Sequence, residues 1–225
     1  MADAVSLVRA YLHVNGYFTV TEYPVLEQLR GGGHRMVTDL DILAFRHGGA
    51  GPMRIVTGSK RPVIPVLQEP DPVLGRSRDE GDMIVGEVKE GRAQLNRGAR
   101  DPRVLQVALV RFGCCRREEA PGVVQQLLAR GEASTDHGHR VRLIAFGSSG
   151  VRGDRNGYTT ISTGHIIRFL RRHLRENWGI VRNAQITDPA LRFLSVIEKS
   201  REDEDATGIH EVLPAADSDD PQTRE

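Results

Sequence analysis

Residues 83–89, Met-Ile-Val-Gly-Glu-Val-Lys, constrain the fold of this chain more than any other segment. The run is apolar almost to its end, which predicts a buried strand, and strand side chains alternate between two faces. Glu87 and Lys89 therefore share a face with Met83 and Val85. A glycine-bearing turn, Glu90-Gly91, follows at once. An acid and a base are thus expected together at the carboxyl end of a strand, where α/β sheets usually place their sites.

A second strand with acids is predicted at residues 35–45, Arg-Met-Val-Thr-Asp-Leu-Asp-Ile-Leu-Ala-Phe. Alternation gives it one apolar face (Leu40, Ile42 and Ala44) and one acidic face (Asp39 and Asp41). Two acids on one face of an apolar strand are costly unless a cation satisfies them. A divalent metal ion would do so.

Together these two strands resemble the PD-(D/E)XK nuclease superfamily, and Thr-Asp-Leu-Asp-Ile-Leu-Ala and Gly-Glu-Val-Lys-Glu-Gly are similar to its resolvase-like and restriction-like branches. The resemblance implies an α/β fold with a restriction-endonuclease-like core, a mixed central β-sheet flanked by helices in αβββαβ order. It also implies that Asp41 and Glu87 bind the metal, with the Val88 carbonyl as a further ligand, and that Lys89 is the family's lysine. Leu40 stands where the family name has proline, and the long interval before Glu87 implies an insertion at 47–81.

The chemistry implied by this resemblance is hydrolysis of phosphodiester bonds. Mg²⁺ or Mn²⁺ prefers carboxylate and water oxygens and leaves positions for a phosphate and an attacking water. Lys89 would either orient that water or stabilise negative charge at phosphorus. Gln94 follows the lysine as a polar residue does in several branches of the family, and an ordinary surface glutamine is the alternative. We therefore expect a Mg²⁺-dependent DNA endonuclease of restriction, repair or defence type.

Other assignments stay open at this stage. Asp71, Asp82 and Asp39 are alternatives to Asp41 as the metal-binding aspartate, although Asp71 lies in a turn-like Glu-Pro-Asp-Pro context. The alternative function is a catalytically silent nuclease-fold subunit that binds nucleic acid or acts as a scaffold in a larger complex. A plain buried ion network is the third interpretation, and three acids with one base make it electrostatically poor.

The distribution of charge favours a polyanionic partner, for which DNA is the first expectation. Residues 202–225 hold nine acids and one base, which leaves residues 1–201 with a net charge of +9. A predicted helix at 164–176, capped by Ser162 or Thr163, concentrates arginines beside its apolar stripe. The candidate nucleic-acid contacts are Arg168, Arg171, Arg172 and Arg175. A salt-bridged exterior is the equal alternative for this helix.

The rest of the chain supplies the elements that such a core requires. Helices are predicted at 3–15, 102–112, 117–130 and 188–199, and strands at 17–23, 140–146 and 158–161, with a short pair at 53–57 and 62–67. The first strand is expected to end at Pro24. The segments 102–112 and 117–130 form the crossover to a parallel strand. We expect one domain over 1–200 and an acidic, disordered tail over 201–225.

Composition limits the remaining functional classes. The two cysteines, Cys114 and Cys115, are adjacent, which suits neither a disulfide framework nor a zinc site. No apolar run approaches the length of a membrane span and the N-terminus does not resemble a signal peptide, so a cytoplasmic protein is expected. A homodimer and a protein partner such as an ATPase in a multi-subunit system both stay open.

Overall fold

The computed structural model describes residues 2–54, 66–75, 79–148 and 157–207. The helices of this part are α1 (Ala2–Val14), α2 (Pro102–Arg111), α3 (Ala120–Arg130), α4 (Thr163–Glu176), α5 (Trp178–Val181) and α6 (Pro189–Thr207). The strands are β1 (Phe18–Gln28), β2 (His34–Arg46), β3 (Met53–Arg54), β4 (Val66–Gln68), β5 (Gly81–Val88), β6 (Glu132–Ser134), β7 (His139–Gly147) and β8 (Thr159–Ser162). Single 3₁₀ turns lie at Pro72–Leu74 and Gly98–Arg100.

Six of these strands form one mixed sheet, which confirms the α/β prediction. The order is β1-β2-β5-β7-β6, and β8 pairs with the same edge of β7 beyond β6. β1, β2 and β5 are antiparallel neighbours, whereas β5 and β7 are parallel. The predicted crossover is confirmed, since α2 and α3 connect these two parallel strands.

Helices cover both faces of the sheet and create two cores. The first core lies under α1, α4 and α6 and takes Ile84 and Val88 from β5. The second core lies under α2 and α3 and takes Met83 and Val85 from the same strand. Every residue of β5 is buried, because the strand is central and both of its faces are covered. A charged side chain on this strand therefore lies in the protein interior.

Two details of the outer strands differ from the predictions. β1 continues through Pro24 to Gln28, because it is an edge strand, and a proline is tolerated where its missing N–H breaks no ladder hydrogen bond. Leu40 belongs to the second core, whereas Ile42 and Ala44 belong to the first. Regular alternation fails at this point, where Glu22 of the neighbouring strand has a positive φ of 53°.

The remaining elements occur close to where the sequence places them. β3 and β4 form the predicted short antiparallel pair, although residues 55–65 lie outside the described residues. Helix α6 extends to Thr207 and so includes the first residues of the expected disordered tail, and residues 208–225 again lie outside the description. Within the described ranges, no helix has the length and apolar character needed to span a bilayer.

Candidate functional site

Glu87 is a buried carboxylate near the end of the central strand. Its side chain is 0% exposed, and its register partner on β7 is Ala145. Oε1 accepts hydrogen bonds from Lys89 Nζ and, at 2.7 Å, from Asn96 Nδ2. Oε2 is equally buried and has no hydrogen-bond partner among the described residues. A buried oxygen that accepts no hydrogen bond destabilises the folded protein. Oε2 is therefore the atom of this site at which a bound ligand is most readily expected.

Lys89 lies immediately beyond the strand, at the boundary between the buried carboxylate and solvent. Its side chain is 31% exposed and pairs with Glu87. Its backbone N–H donates to Phe146 O at 2.9 Å, which extends the pairing with β7 by one residue. The ammonium group is therefore held beside Glu87 and remains accessible from outside.

Asp41 reaches the same place from the neighbouring strand. Regular pairing between β2 and β5 ends at Ile42 and Gly86, and one residue further the half-buried Asp41 accepts a hydrogen bond from Val88 N at 2.7 Å through Oδ2. Asp41 and Val88 are 47 residues apart in the chain. The structure thus brings together the three residues on which the sequence prediction concentrated, Asp41, Glu87 and Lys89.

The electrostatics of Glu87 reflect this environment. The pKa of the Glu87 carboxyl is raised from 4.5 to about 7, chiefly by burial and to a smaller extent by the negative charge of Asp41. The hydrogen bonds from Lys89 and Asn96 act in the opposite direction but do not cancel the effect of burial. The negative charges of Asp41 and ionised Glu87 would also attract a metal cation.

In the loop after Lys89, the polar residue that contacts Glu87 is Asn96, which the sequence prediction missed. Gln94, the predicted residue, is exposed and makes no hydrogen bond to Asp41, Glu87 or Lys89 in the described structure. Asn96 also accepts a hydrogen bond from Ala99 N at 2.6 Å and so shapes the following turn. An asparagine shortly before a glycine, as in Asn96-Arg97-Gly98, is typical of a turn in which the asparagine side chain bonds to the backbone. This pattern was the signal in the sequence that could have identified Asn96.

The alternative aspartates are engaged elsewhere or exposed. Asp82 pairs with the buried Arg142 and accepts a hydrogen bond from Tyr17 Oη at 2.5 Å. Asp71 accepts a hydrogen bond from Tyr11 Oη at 2.9 Å and lies 2.5 Å from His165 Nε2. Asp39 is exposed. Of the four candidate aspartates, Asp41 is therefore the one that lies beside Glu87.

The arginines of α4 differ from one another in their surroundings. Arg171 and Arg175 both pair with Glu198 of α6, whose side chain is 3% exposed. Arg172 is exposed and its guanidinium carbon lies 5.6 Å from the centroid of the Phe169 ring. Arg168 is exposed. For Arg171 and Arg175 the ion pairs account for the charge without a nucleic-acid ligand.

Among the described residues, the site offers a metal ion two carboxylates, those of Asp41 and Glu87. No group of three or more His, Cys, Asp or Glu side chains suited to a metal occurs within the described ranges. The unpartnered Oε2 of Glu87, the nearby Asp41 carboxylate and the backbone of Val88 are nevertheless oxygen ligands of the kind that Mg²⁺ takes, and Mg²⁺ usually keeps several waters. The residues present therefore fit a hydrated Mg²⁺ or Mn²⁺ ion.

Comparison of the chain with protein-family models, with curated proteins and with solved structures finds no match. The chemistry of the site consequently has to be inferred from its own residues. A buried acid with a raised pKa, a second acid and an accessible lysine at one strand end can bind a cation and position a negatively charged group beside it.

Proposed function

We propose that this chain is a metal-dependent nuclease that hydrolyses phosphodiester bonds, with DNA as the first substrate to test. The observation that carries the proposal is the fully buried Glu87 carboxylate, whose Oε2 has no hydrogen-bond partner among the described residues while Asp41 and Lys89 lie beside it. The order of a helix, three strands of the main sheet, two helices and, after the short β6, a strand parallel to β5 supports a restriction-endonuclease-like core.

In this proposal Glu87 Oε2, Asp41 and the Val88 carbonyl would hold Mg²⁺ or Mn²⁺. The bound ion would polarise the scissile phosphate and lower the pKa of an attacking water. Lys89 stands at the accessible edge, where its ammonium group can donate to a phosphate oxygen or orient the water. Asn96 is a positioning residue, since it holds Oε1 of Glu87 and thereby fixes the direction of Oε2.

The pKa of Glu87 makes binding of the ion dependent on pH. Because this pKa is about 7, the carboxyl is protonated in most molecules below neutral pH. A metal ion that binds there has to displace the proton. Affinity for Mg²⁺ or Mn²⁺ should therefore fall as the pH is lowered through 7. Titration calorimetry with Mn²⁺ at several pH values measures this without a substrate.

The direct test is cleavage of plasmid, linear duplex and single-stranded DNA with Mg²⁺ or Mn²⁺. Glu87→Gln and Lys89→Ala should each reduce cleavage by at least about a hundredfold, as should removal of the metal with EDTA. Glu118→Gln is the matched control, because Glu118 is exposed and the substitution is the same. Cleavage at the wild-type rate by both site variants would reject the proposal.

A catalytically silent nuclease-fold subunit is the second candidate. The described residues supply two carboxylates at the site and no group of three metal-binding side chains. A small set of ligands favours metal binding without catalysis. For this candidate we expect Mn²⁺ binding that depends on Glu87 and Asp41, with no cleavage of any of the three DNA forms. The same preparations and variants distinguish the two functions.

A further inference from the structure

A cleft next to the candidate site carries two arginines that the proposed chemistry does not use. It has a volume of about 500 Å³ and is lined by Leu95, Asn96, Arg97, Arg100, Asp101 and Pro102. Asn96 belongs both to this lining and to the site, because its Nδ2 donates to Glu87 Oε1 at 2.7 Å. The cleft and the buried carboxylate are therefore separated by one side chain.

The backbone presents both arginines to the same side. Arg97 directly precedes the 3₁₀ turn Gly98–Arg100, in which Arg100 N donates to Arg97 O at 3.3 Å and Asp101 N donates to Gly98 O at 3.0 Å. Side chains three residues apart are eclipsed in a 3₁₀ turn. The two arginines therefore leave the same side of the turn, and both residues line the cleft.

The turn is anchored, so the arginines have a fixed position relative to Glu87. Gly98 lies directly against Thr38 of β2, so that even a methyl group at Gly98 would collide with the Thr38 side chain. Ala99 is buried in the second core. Asn96 Oδ1 accepts from Ala99 N, which ties the turn to the residue that holds Glu87.

The cleft has an excess of positive charge. Arg97 and Arg100 are exposed, and neither forms an ion pair within the described part of the chain. The one acid in the lining, Asp101, is already satisfied: it caps α2 through Arg103 N at 2.9 Å and pairs with Arg103 Nη2 at 2.8 Å. Two exposed guanidinium groups without an ion-pair partner among the described residues are donors of the kind that bind phosphate oxygens.

We infer that this cleft binds backbone phosphate of a nucleic-acid strand next to the bond presented to Glu87. The inference rests on the proposed function for its choice of ligand. Arg97 and Arg100 would contact phosphate and not base edges, so they would position the strand without reading its sequence.

Binding of labelled single-stranded and duplex DNA, measured by fluorescence anisotropy in EDTA, tests the inference without cleavage. Arg97→Ala and Arg100→Ala should each weaken binding by roughly tenfold, equally for two unrelated sequences, and reduce the slope of log Kd against log salt by about one. Arg97→Lys and Arg100→Lys should restore most of the salt slope. Arg92→Ala is the control, since Arg92 is an exposed arginine of the same loop outside the cleft.

Unchanged affinity and salt slope in a folded Arg97→Ala, Arg100→Ala double variant would overturn the inference, as would inorganic phosphate competing as well as DNA at equal phosphate concentration. The two proposals fail separately. Loss of binding in the arginine variants of a protein that never cleaves DNA supports the cleft and rejects the nuclease. Cleavage that depends on Glu87, together with DNA binding that is unchanged in both arginine variants, supports the nuclease and rejects the cleft.

Discussion

At the scale of single residues, Glu87 is the clearest consequence of placing an acid in a central strand. Both faces of β5 are covered, so the carboxylate is buried and its pKa rises to about 7. Lys89 and Asn96 donate to Oε1, whereas Oε2 has no donor among the described residues. Such an arrangement costs stability, which is typical of residues kept for binding or catalysis.

The cost should appear as a pH dependence of stability. The pKa of Glu87 is 4.5 in the unfolded reference and about 7 in the folded protein, so the folded state binds more protons between these values. Its contribution to the free energy of unfolding is therefore fully present below pH 4.5 and is lost as the pH rises through 7. The loss is on the order of 3 kcal/mol.

Glu87→Gln cannot ionise and should escape this loss. Urea unfolding below pH 4.5 and above pH 7 should show the variant gaining stability relative to the wild type at the higher pH. Glu118→Gln should show no such change, because Glu118 is exposed. Parallel pH profiles for Glu87→Gln and the wild type would contradict the assignment of a raised pKa.

At the scale of elements, the caps of helices were the most predictable features. Asp101 accepts a hydrogen bond from Arg103 N ahead of Pro102, and Ser162 accepts one from His165 N, as the sequence predicts for helix starts. Helix α3 ends at Gly131, which has a positive φ of 76°. These features depend on residues within one turn of each other, so local sequence is sufficient to predict them.

Gly122 within α3 and Gly131 directly after it give a matched test of this reasoning. Gly131→Ala should destabilise the protein by about 2 kcal/mol or more, because the residue has a positive φ and a Cβ there would overlap Gly157 O. Gly122→Ala should stabilise it by about 0.5 to 1 kcal/mol, since nothing lies within 4 Å of the added Cβ and alanine favours a helix. Chemical denaturation of both variants measures the difference, and equal effects would refute the role of the Gly131 backbone.

At the scale of the whole molecule, a buried ion pair joins segments that are distant in the chain. Arg142 of β7, 4% exposed, pairs with Asp82 of β5 and donates to Leu74 O at 2.5 Å. Tyr17 donates to the same Asp82 carboxylate. The pKa of Tyr17 is raised, mainly by burial and secondly by the negative charge of Asp82. The network thus holds the 71–75 segment and the start of β1 against the amino-terminal half of β5, away from Glu87.

Removing one charge of this network should be costly. Asp82→Asn leaves the Arg142 guanidinium buried without a counter-charge and should lower the free energy of unfolding by about 3 to 5 kcal/mol. Glu132→Gln, which breaks the half-exposed pair with Arg140, should change it by less than about 1 kcal/mol. Urea unfolding of the two variants provides the comparison. Similar losses in both would show that the Asp82 pair is not desolvated.

The sequence alone determined the strands that carry Asp41 and Glu87, the parallel crossover and the helix caps, because periodicity and capping depend on near neighbours. Only the tertiary structure decided which distant partner each polar side chain finds. It placed Asn96 and not Gln94 on Glu87, directed Asp71 and Asp82 into other networks, and paired Arg171 and Arg175 with Glu198. These choices depend on strand order and on the path of each loop, and contacts between remote segments are not encoded in any local pattern.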